Sequence, residues 1–253
     1  VCGRFVSTSP PSVLAAYFDA ATIDEAVAAS APNTNTAPGT GVSVLRVDGG
    51  GRRLERFRWG LVPSWAKDPS IGNRMINARS ETAQTKPSFR RAAASRRCIV
   101  PADGFYEWFR VPGARTRQPY LIHRPDDEPF AFAGLWEQWR PPTVEGAEPL
   151  DSDEVLRTVT VLTTSANDAM GAIHDRMPVL LAPADWDEWL APERLADGRF
   201  EELCVPAPDS LTVLRPVSTE VNDARHKGEH LLDPVEPVDG APPGTDGASP
   251  VGD

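Results

Sequence analysis

Lysine is almost missing from this 253-residue chain: it occurs only at 67, 86 and 227, and arginine supplies the other 23 basic residues. Cysteine is just as sparse. Cys2, Cys98 and Cys204 are odd in number, far apart and without a C-x-x-C, which argues against a disulfide framework or a zinc site. No apolar run approaches the ~20 residues of a membrane span. The first residues lack a basic segment followed by an apolar one, so no signal peptide is expected. A reducing cytoplasm is the natural compartment, with the protein nucleoid-associated when bound to DNA, and it would keep Cys2 as a thiol.

Excess positive charge is lacking too. Acidic residues outnumber basic ones 36 to 26, for a net charge of −10, which argues against a general polyanion binder. Few lysines on an acidic surface suggest adaptation to salt. The stretch from Arg74 to Arg97 runs the other way: Arg74, Arg79, Lys86, Arg90, Arg91, Arg96 and Arg97 oppose Glu81 alone. A local basic strip of this kind can still hold phosphate, less tightly at high salt.

With 40% hydrophobic and 25% charged residues, the chain has the composition of a soluble globular protein with one sizeable core. Residues 11–30 read as helical and 33–41 as a loop. Two strands, 42–47 and 54–59, flank the Gly49-Gly50-Gly51 turn as a hairpin. Further strands are expected at 97–102, 105–111, 119–123, 130–136, 156–164, 177–181 and 211–217. Helices are expected at 165–173, 183–190 and 192–203. A surface loop is expected at 141–153 and a disordered acidic, Pro/Gly-rich tail at 233–253. The pattern describes one α+β domain with a curved, largely antiparallel sheet.

The chemistry starts at Cys2. If residue 1 is removed, Cys2 carries an α-amine beside its thiol, with reference pKa values of about 8 and 8.5. Such an aminothiol condenses with an aldehyde to an imine and then closes to a thiazolidine. Val1 is what literal translation of a GTG start codon gives, so the mature chain is expected to begin at Cys2. Three internal segments could assist. In Ile76-Asn77-Ala78-Arg79, strand alternation puts the Asn77 amide and the Arg79 guanidinium on one face, a contact for phosphate or sugar oxygen. In Phe105-Tyr106-Glu107-Trp108-Phe109, Glu107 has aromatic neighbours on either face, and desolvation there would raise its pKa. His174, in Ile173-His174-Asp175-Arg176, follows a short helix and can shuttle protons near neutrality. His226 and His230 have i,i+4 spacing but no accompanying third ligand, and read as solvated. A Cys2–His174 thiol peptidase is also conceivable, although nothing in the sequence identifies an oxyanion hole.

In chain order, Cys2-Gly3-Arg4-Phe5, Asn35-Thr36-Ala37-Pro38-Gly39-Thr40, Trp59-Gly60, Ile76–Thr82, Asp103–Trp108 and Ile173–Pro178 resemble the SRAP family of SOS-response-associated peptidases, also called abasic-site processing proteins. The resemblance covers about residues 2–232. It implies a single SRAP-type domain with a β-barrel-like core and flanking helices. It also implies a monomer that captures abasic sites in single-stranded DNA as a thiazolidine crosslink, with no metal and no cofactor. Carried over by position, Cys2 supplies amine and thiol, Asn77 positions the terminal cysteine or the opened sugar, and Glu107 is the acid–base. His174 handles the proton of the sugar ring oxygen. Arg4, Arg79 and Arg176 would hold phosphates, and Trp65 would lie against flanking bases. Self-removal of the leading residue and plain non-covalent binding of single-stranded DNA are the alternatives.

Overall fold

The computed structural model describes residues 2–113, 115–141 and 155–246. The chain begins with β1 (Phe5–Ser7), α1 (Pro11–Tyr17), β2 (Thr22–Ile23), α2 (Glu25–Ala28) and β3 (Asn33–Thr36). The hairpin β4 (Gly41–Asp48) and β5 (Gly51–Trp59) follows, then β6 (Asn77–Arg79), α3 (Ser80–Ala83) and α4 (Arg90–Ser95). Next come β7 (Arg97–Ala102), β8 (Gly104–Arg110), β9 (Arg117–His123), β10 (Phe130–Trp139) and β11 (Leu156–Ser165). The last elements are α5 (Asp168–Gly171), β12 (Arg176–Pro178), α6 (Trp186–Leu190), α7 (Arg199–Leu203) and β13 (Val213–Pro216).

Two sheets result. One has the order β13-β9-β8-β1-β3; the other runs β12-β11-β10-β7-β4-β5-β2. A parallel β5–β11 pairing joins strands 4, 5, 7, 10 and 11 into a closed ring. Closure removes the exposed edges that an open sheet of this length would carry. Alternation along the ring strands feeds two cores. Leu45, Leu54, Ile99, Ala131, Ala133 and Leu162 meet α1, α6 and α7 on one face. Val44, Phe57, Trp59, Cys98, Val100, Phe132 and Val161 pack on the other face with Cys2, Phe5, Phe105, Tyr120 and Ile122 of the second sheet. Phe5 lies 4.9 Å from the Trp59 ring, so the start of the chain is pinned between the sheets. Truncating a buried aromatic of this size costs ~3–5 kcal/mol.

The mixed α+β, barrel-like architecture agrees with the expectation from sequence, and most strands begin and end within two residues of where the pattern puts them. The helices do not. Residues 11–30 split into α1, β2 and α2, with Asp19 at a positive φ of 52° at the break. The alanine-rich stretch lacks the uninterrupted apolar stripe that would hold one long helix. Only Arg199–Leu203 of 192–203 is α-helical, because Gly198 sits at φ 83° just before it. Residues 33–36, expected as loop, form β3, which pairs with β1. The tail also departs from expectation. Residues 234–246 follow β13: Thr245 N–H donates to Leu214 O at 2.8 Å, and Tyr120 O–H donates to Pro242 O at 2.5 Å. The 141–153 loop (beyond Pro141), Val1 and residues 247–253 lie outside the described residues.

Candidate active site

β8 is the centre of the site. Its alternation sends Phe105 and Phe109 toward the core between the sheets, and Tyr106 and Trp108 toward a small separate cluster with Val6 and Val221. Glu107 shares the Phe105 face and is only 3% exposed. β1 runs antiparallel to β8 with Phe5 opposite Phe105, so the residues before β1 pass alongside Glu107. As a result the Cys2 backbone nitrogen lies 2.5 Å from Glu107 Oε1. Burial pushes the Glu107 carboxyl above its ordinary range, while the nearby His174 imidazole pulls the other way. Cys2 is fully buried, and burial, followed by the charge of Glu107, pushes its thiol far above the usual range.

The other two residues arrive on β11. Its one edge carries β6 in parallel, with Asn77 opposite Val161 and Arg79 opposite Thr163. Its other edge carries β12, with Arg176 opposite Ser165. Asn77 Nδ2 donates to the Cys2 carbonyl at 3.0 Å and fixes the plane of the residue whose nitrogen faces Glu107. Ala78 is buried and Arg79 exposed, in keeping with the expected alternation. His174 follows α5, which Asn167 caps by accepting from Met170 N–H at 2.9 Å. His174 Nδ1 accepts the Arg176 backbone N–H at 3.0 Å. Asp175 Oδ1 lies 2.9 Å from the same nitrogen. Nδ1 cannot both accept from the Arg176 N–H and donate to Asp175. In the neutral ring Nδ1 accepts from the fixed backbone donor and Nε2 carries the hydrogen; the imidazolium would instead donate from Nδ1 to Asp175, whose side chain is 87% exposed.

Cys2, Asn77, Glu107 and His174 therefore converge from four separate stretches of chain. The expected DNA contacts divide differently. Arg79 is exposed, and Trp65, 56% exposed, lines a cavity of about 430 Å³ with Lys67 and Arg74. Arg4 and Arg176 are already engaged. Arg4 donates to Asn35 Oδ1 at 2.7 Å and to Val221 O at 3.0 Å. Arg176 forks onto Glu81 at 2.5 and 3.0 Å and also donates to Thr163 O. Both guanidiniums thus brace the walls of the site. Trp59 is 1% exposed and donates through Nε1 to Ile76 O at 2.9 Å, holding the chain just before Asn77.

Two supporting residues escaped the sequence reading. Asn35 is fully buried, and its Nδ2 donates to the carbonyls of Val221, Asp223 and His226, anchoring Arg4. The β-branched Thr34 and Thr36 were the available signal for a strand here. Asp103 accepts from Thr8 and Ser9 backbone N–H at 2.5 and 2.8 Å and ties off β1. Cys98 and Cys204 are buried free thiols outside this constellation. Among the described residues no group of three or more His, Cys, Asp or Glu is arranged to hold a metal. His226 and His230 rest against Glu220 instead.

The chain resembles known proteins along nearly its whole length. It is 40% identical over 235 residues to the abasic site processing protein YoaM of Bacillus subtilis (strain 168), covering 92% of this chain and 98% of that one. It is 33% identical to the abasic site processing protein HMCES of Pongo abelii, covering 82% of this chain and 66% of that one. A solved structure from Bacteroides thetaiotaomicron superposes with a TM-score of 0.79 at 22% identity, covering 93% of this chain and all of that one. The model of the SOS response associated peptidase (SRAP) family matches residues 1–224, and the chain belongs to that family.

Proposed function

We propose that this protein captures abasic sites in single-stranded DNA as a covalent thiazolidine at Cys2. One observation carries the reading: the Cys2 nitrogen sits 2.5 Å from a buried carboxyl whose pKa is raised. A raised carboxyl beside a nitrogen is suited to the proton transfers of imine formation near neutral pH. The family relationship supplies the substrate, because the relatives are named for abasic site processing.

The reaction balances as follows. Once whatever precedes Cys2 is removed, its nitrogen is a primary amine. His174 in its imidazolium form gives a proton to the sugar ring oxygen as the lesion opens and takes back the proton of the C1′ hydroxyl as that carbon becomes the aldehyde. The amine adds to the aldehyde carbon to form a carbinolamine. Glu107 in its acid form protonates the carbinolamine hydroxyl, which leaves as water, and the resulting carboxylate takes the proton of the iminium nitrogen, so an imine remains and Glu107 is restored. The Cys2 sulfur then bonds to the imine carbon and its proton goes to the nitrogen. The net change is two new bonds to one carbon and the loss of one water. Asn77 holds the Cys2 carbonyl throughout. Burial pushes the Cys2 thiol up, so forming its thiolate nucleophile calls on a neighbouring base. Arg79 and Trp65 lie exposed for a phosphate and a base on the flanking strand.

The test is direct. Protein with a free Cys2 terminus is incubated with single-stranded DNA carrying one abasic site, and a heat-stable shifted band is sought. The band is expected with the native protein and absent with Cys2→Ala. A band that survives this substitution rules the thiazolidine out.

The same contact favours a second activity, self-removal of the leading residue. While that residue is attached, Glu107 lies at the nitrogen of the bond to be cut. The Cys2 sulfur would attack the preceding carbonyl, Glu107 would protonate the departing nitrogen, and water would hydrolyse the thioester. Intact mass followed over time checks it: Cys2→Ala and Glu107→Gln should both retain the residue.

A further inference from the structure

The net charge of −10 conceals a cleft of the opposite sign. A cavity of about 620 Å³ opens where β5, the end of β10 and the start of β11 meet. It is lined by Arg56, Arg58, Arg140 and Arg157, with Gln138 beside them and no acidic residue among its described lining. Only Arg157 has a carboxylate partner among the described residues, the buried Glu55 at 3.1 Å. Arg58 is oriented by Asn73 Oδ1 at 2.8 Å, a neutral partner that leaves its charge uncompensated. A second cavity, of about 410 Å³, shares Gly41 and Arg56 with the first and adds Lys227 and the hydroxyls of Ser7, Ser30 and Ser43. The two form one trough bearing five cations.

Its place in the fold relates it to the reactive corner. Arg58 pairs with Thr158 and Asn77 with Val161, both on the same edge of β11. Three strand residues separate them, about 10 Å along β11, and this odd spacing puts the Arg58 and Asn77 side chains on opposite faces of the sheet. Arg56 and Arg58 alternate onto one face of β5, about 7 Å apart at the backbone, a spacing that can also serve successive phosphates of an extended chain. Neither the acid–base chemistry nor the expected contacts of Arg4, Trp65, Arg79 and Arg176 use this trough.

We propose that the arginine trough of β5, β10 and β11 is a second backbone-binding track, which holds the phosphates of the DNA strand several nucleotides away from the lesion. Cationic clefts track single strands in this way, and the choice of DNA as the polyanion rests on the abasic-site reading above.

Binding of undamaged oligothymidylates of 6 and 20 nucleotides, measured by fluorescence anisotropy across a salt series, tests the proposal. The variant is Arg56→Gln/Arg140→Gln. The control is Arg110→Gln/Arg117→Gln, which removes the same charge from exposed positions on β8 and β9. The native protein should bind the 20-mer more tightly than the 6-mer. The trough variant should lose about tenfold of that gain at low salt, with a log–log salt slope shallower by about 1.4, two contacts at ~0.7 each. A trough variant that keeps the gain overturns the proposal. So does a control pair that loses as much, or a native protein that gains nothing with length. The Cys2-dependent band is scored separately. Its absence with the trough effect intact sinks the thiazolidine alone, and its presence without the trough effect sinks the track alone.

Discussion

Glu107 and Glu55 are equally buried, each 3% exposed, and their surroundings assign them opposite jobs. Glu55 faces two guanidiniums: Arg46 bonds one oxygen, and Arg157 reaches the other at 3.1 Å. Arg46 in turn stacks over Trp136 at 5.2 Å. That carboxylate is compensated and clamps the ring where β4, β5 and β11 meet. Glu107 faces the nitrogen of Cys2 and the imidazole of His174, groups that can exchange protons with it, and burial pushes its pKa up. Burial alone therefore does not mark a working carboxyl. The mark is burial beside groups able to trade a proton rather than beside a permanent cation.

The largest expected effect is at Glu107. Glu107→Gln keeps the volume and removes the proton exchange, so the crosslinking rate should fall about 10²-fold or more in single-turnover gels. A variant within a few-fold of native would erase the distinction between the two glutamates. Glu55→Gln should do the reverse. It leaves Arg46 and Arg157 without their shared counter-charge and should cost about 3 kcal/mol in urea unfolding, while the crosslinking rate of the folded fraction stays near native.

His174→Gln comes next, with a drop of about tenfold in crosslinking where ring opening limits the rate. It also removes the positive influence that holds Glu107 down, so the Glu107-dependent limb of the pH–rate profile should move to higher pH. A limb that stays in place would mean that the imidazole does not reach the carboxyl. The smallest effect is thermodynamic. Because the folded pKa of Glu107 is raised, the folded state holds its proton more tightly than the unfolded chain does. Its contribution to stability is therefore full below the unfolded value of about 4.3 and is lost as pH rises through the folded pKa. Against native protein, Glu107→Gln should flatten that decline in melts taken between pH 4 and neutrality, whereas Glu55→Gln should leave it in place.

Much of the reactive corner was legible in the chain. Period-two alternation put Glu107 with Phe105 and Phe109, and Asn77 with Arg79, and both assignments match the observed faces. Strand limits were legible because a buried alternating pattern fixes its register. The helices were less so, because α1, α2 and α7 are short and their ends depend on local φ angles at Asp19 and Gly198. The tail to Asp246 read as disordered because its bonds are made by backbone groups and by Tyr120, Gln118 and Arg215, distant in sequence. Arg4 and Arg176 were carried over as phosphate ligands from the family resemblance, and nothing local in the sequence announces Asn35 or Glu81 as their partners.

The sequence by itself determined the reagents: a cysteine next to the start of the chain, a glutamate set among aromatics, an amide on a strand and a histidine after a short helix. The covalent chemistry proposed for them draws on groups present in the sequence, and their local faces follow from backbone periodicity. Only the tertiary structure decided that the Cys2 nitrogen meets Glu107 rather than Glu55, and that arginines from β5, β10 and β11 share one trough in an acidic protein. Those outcomes depend on which strands pair across 50 to 100 residues of chain. That pairing is set by closure of the ring and burial of both its faces, which no local stretch encodes.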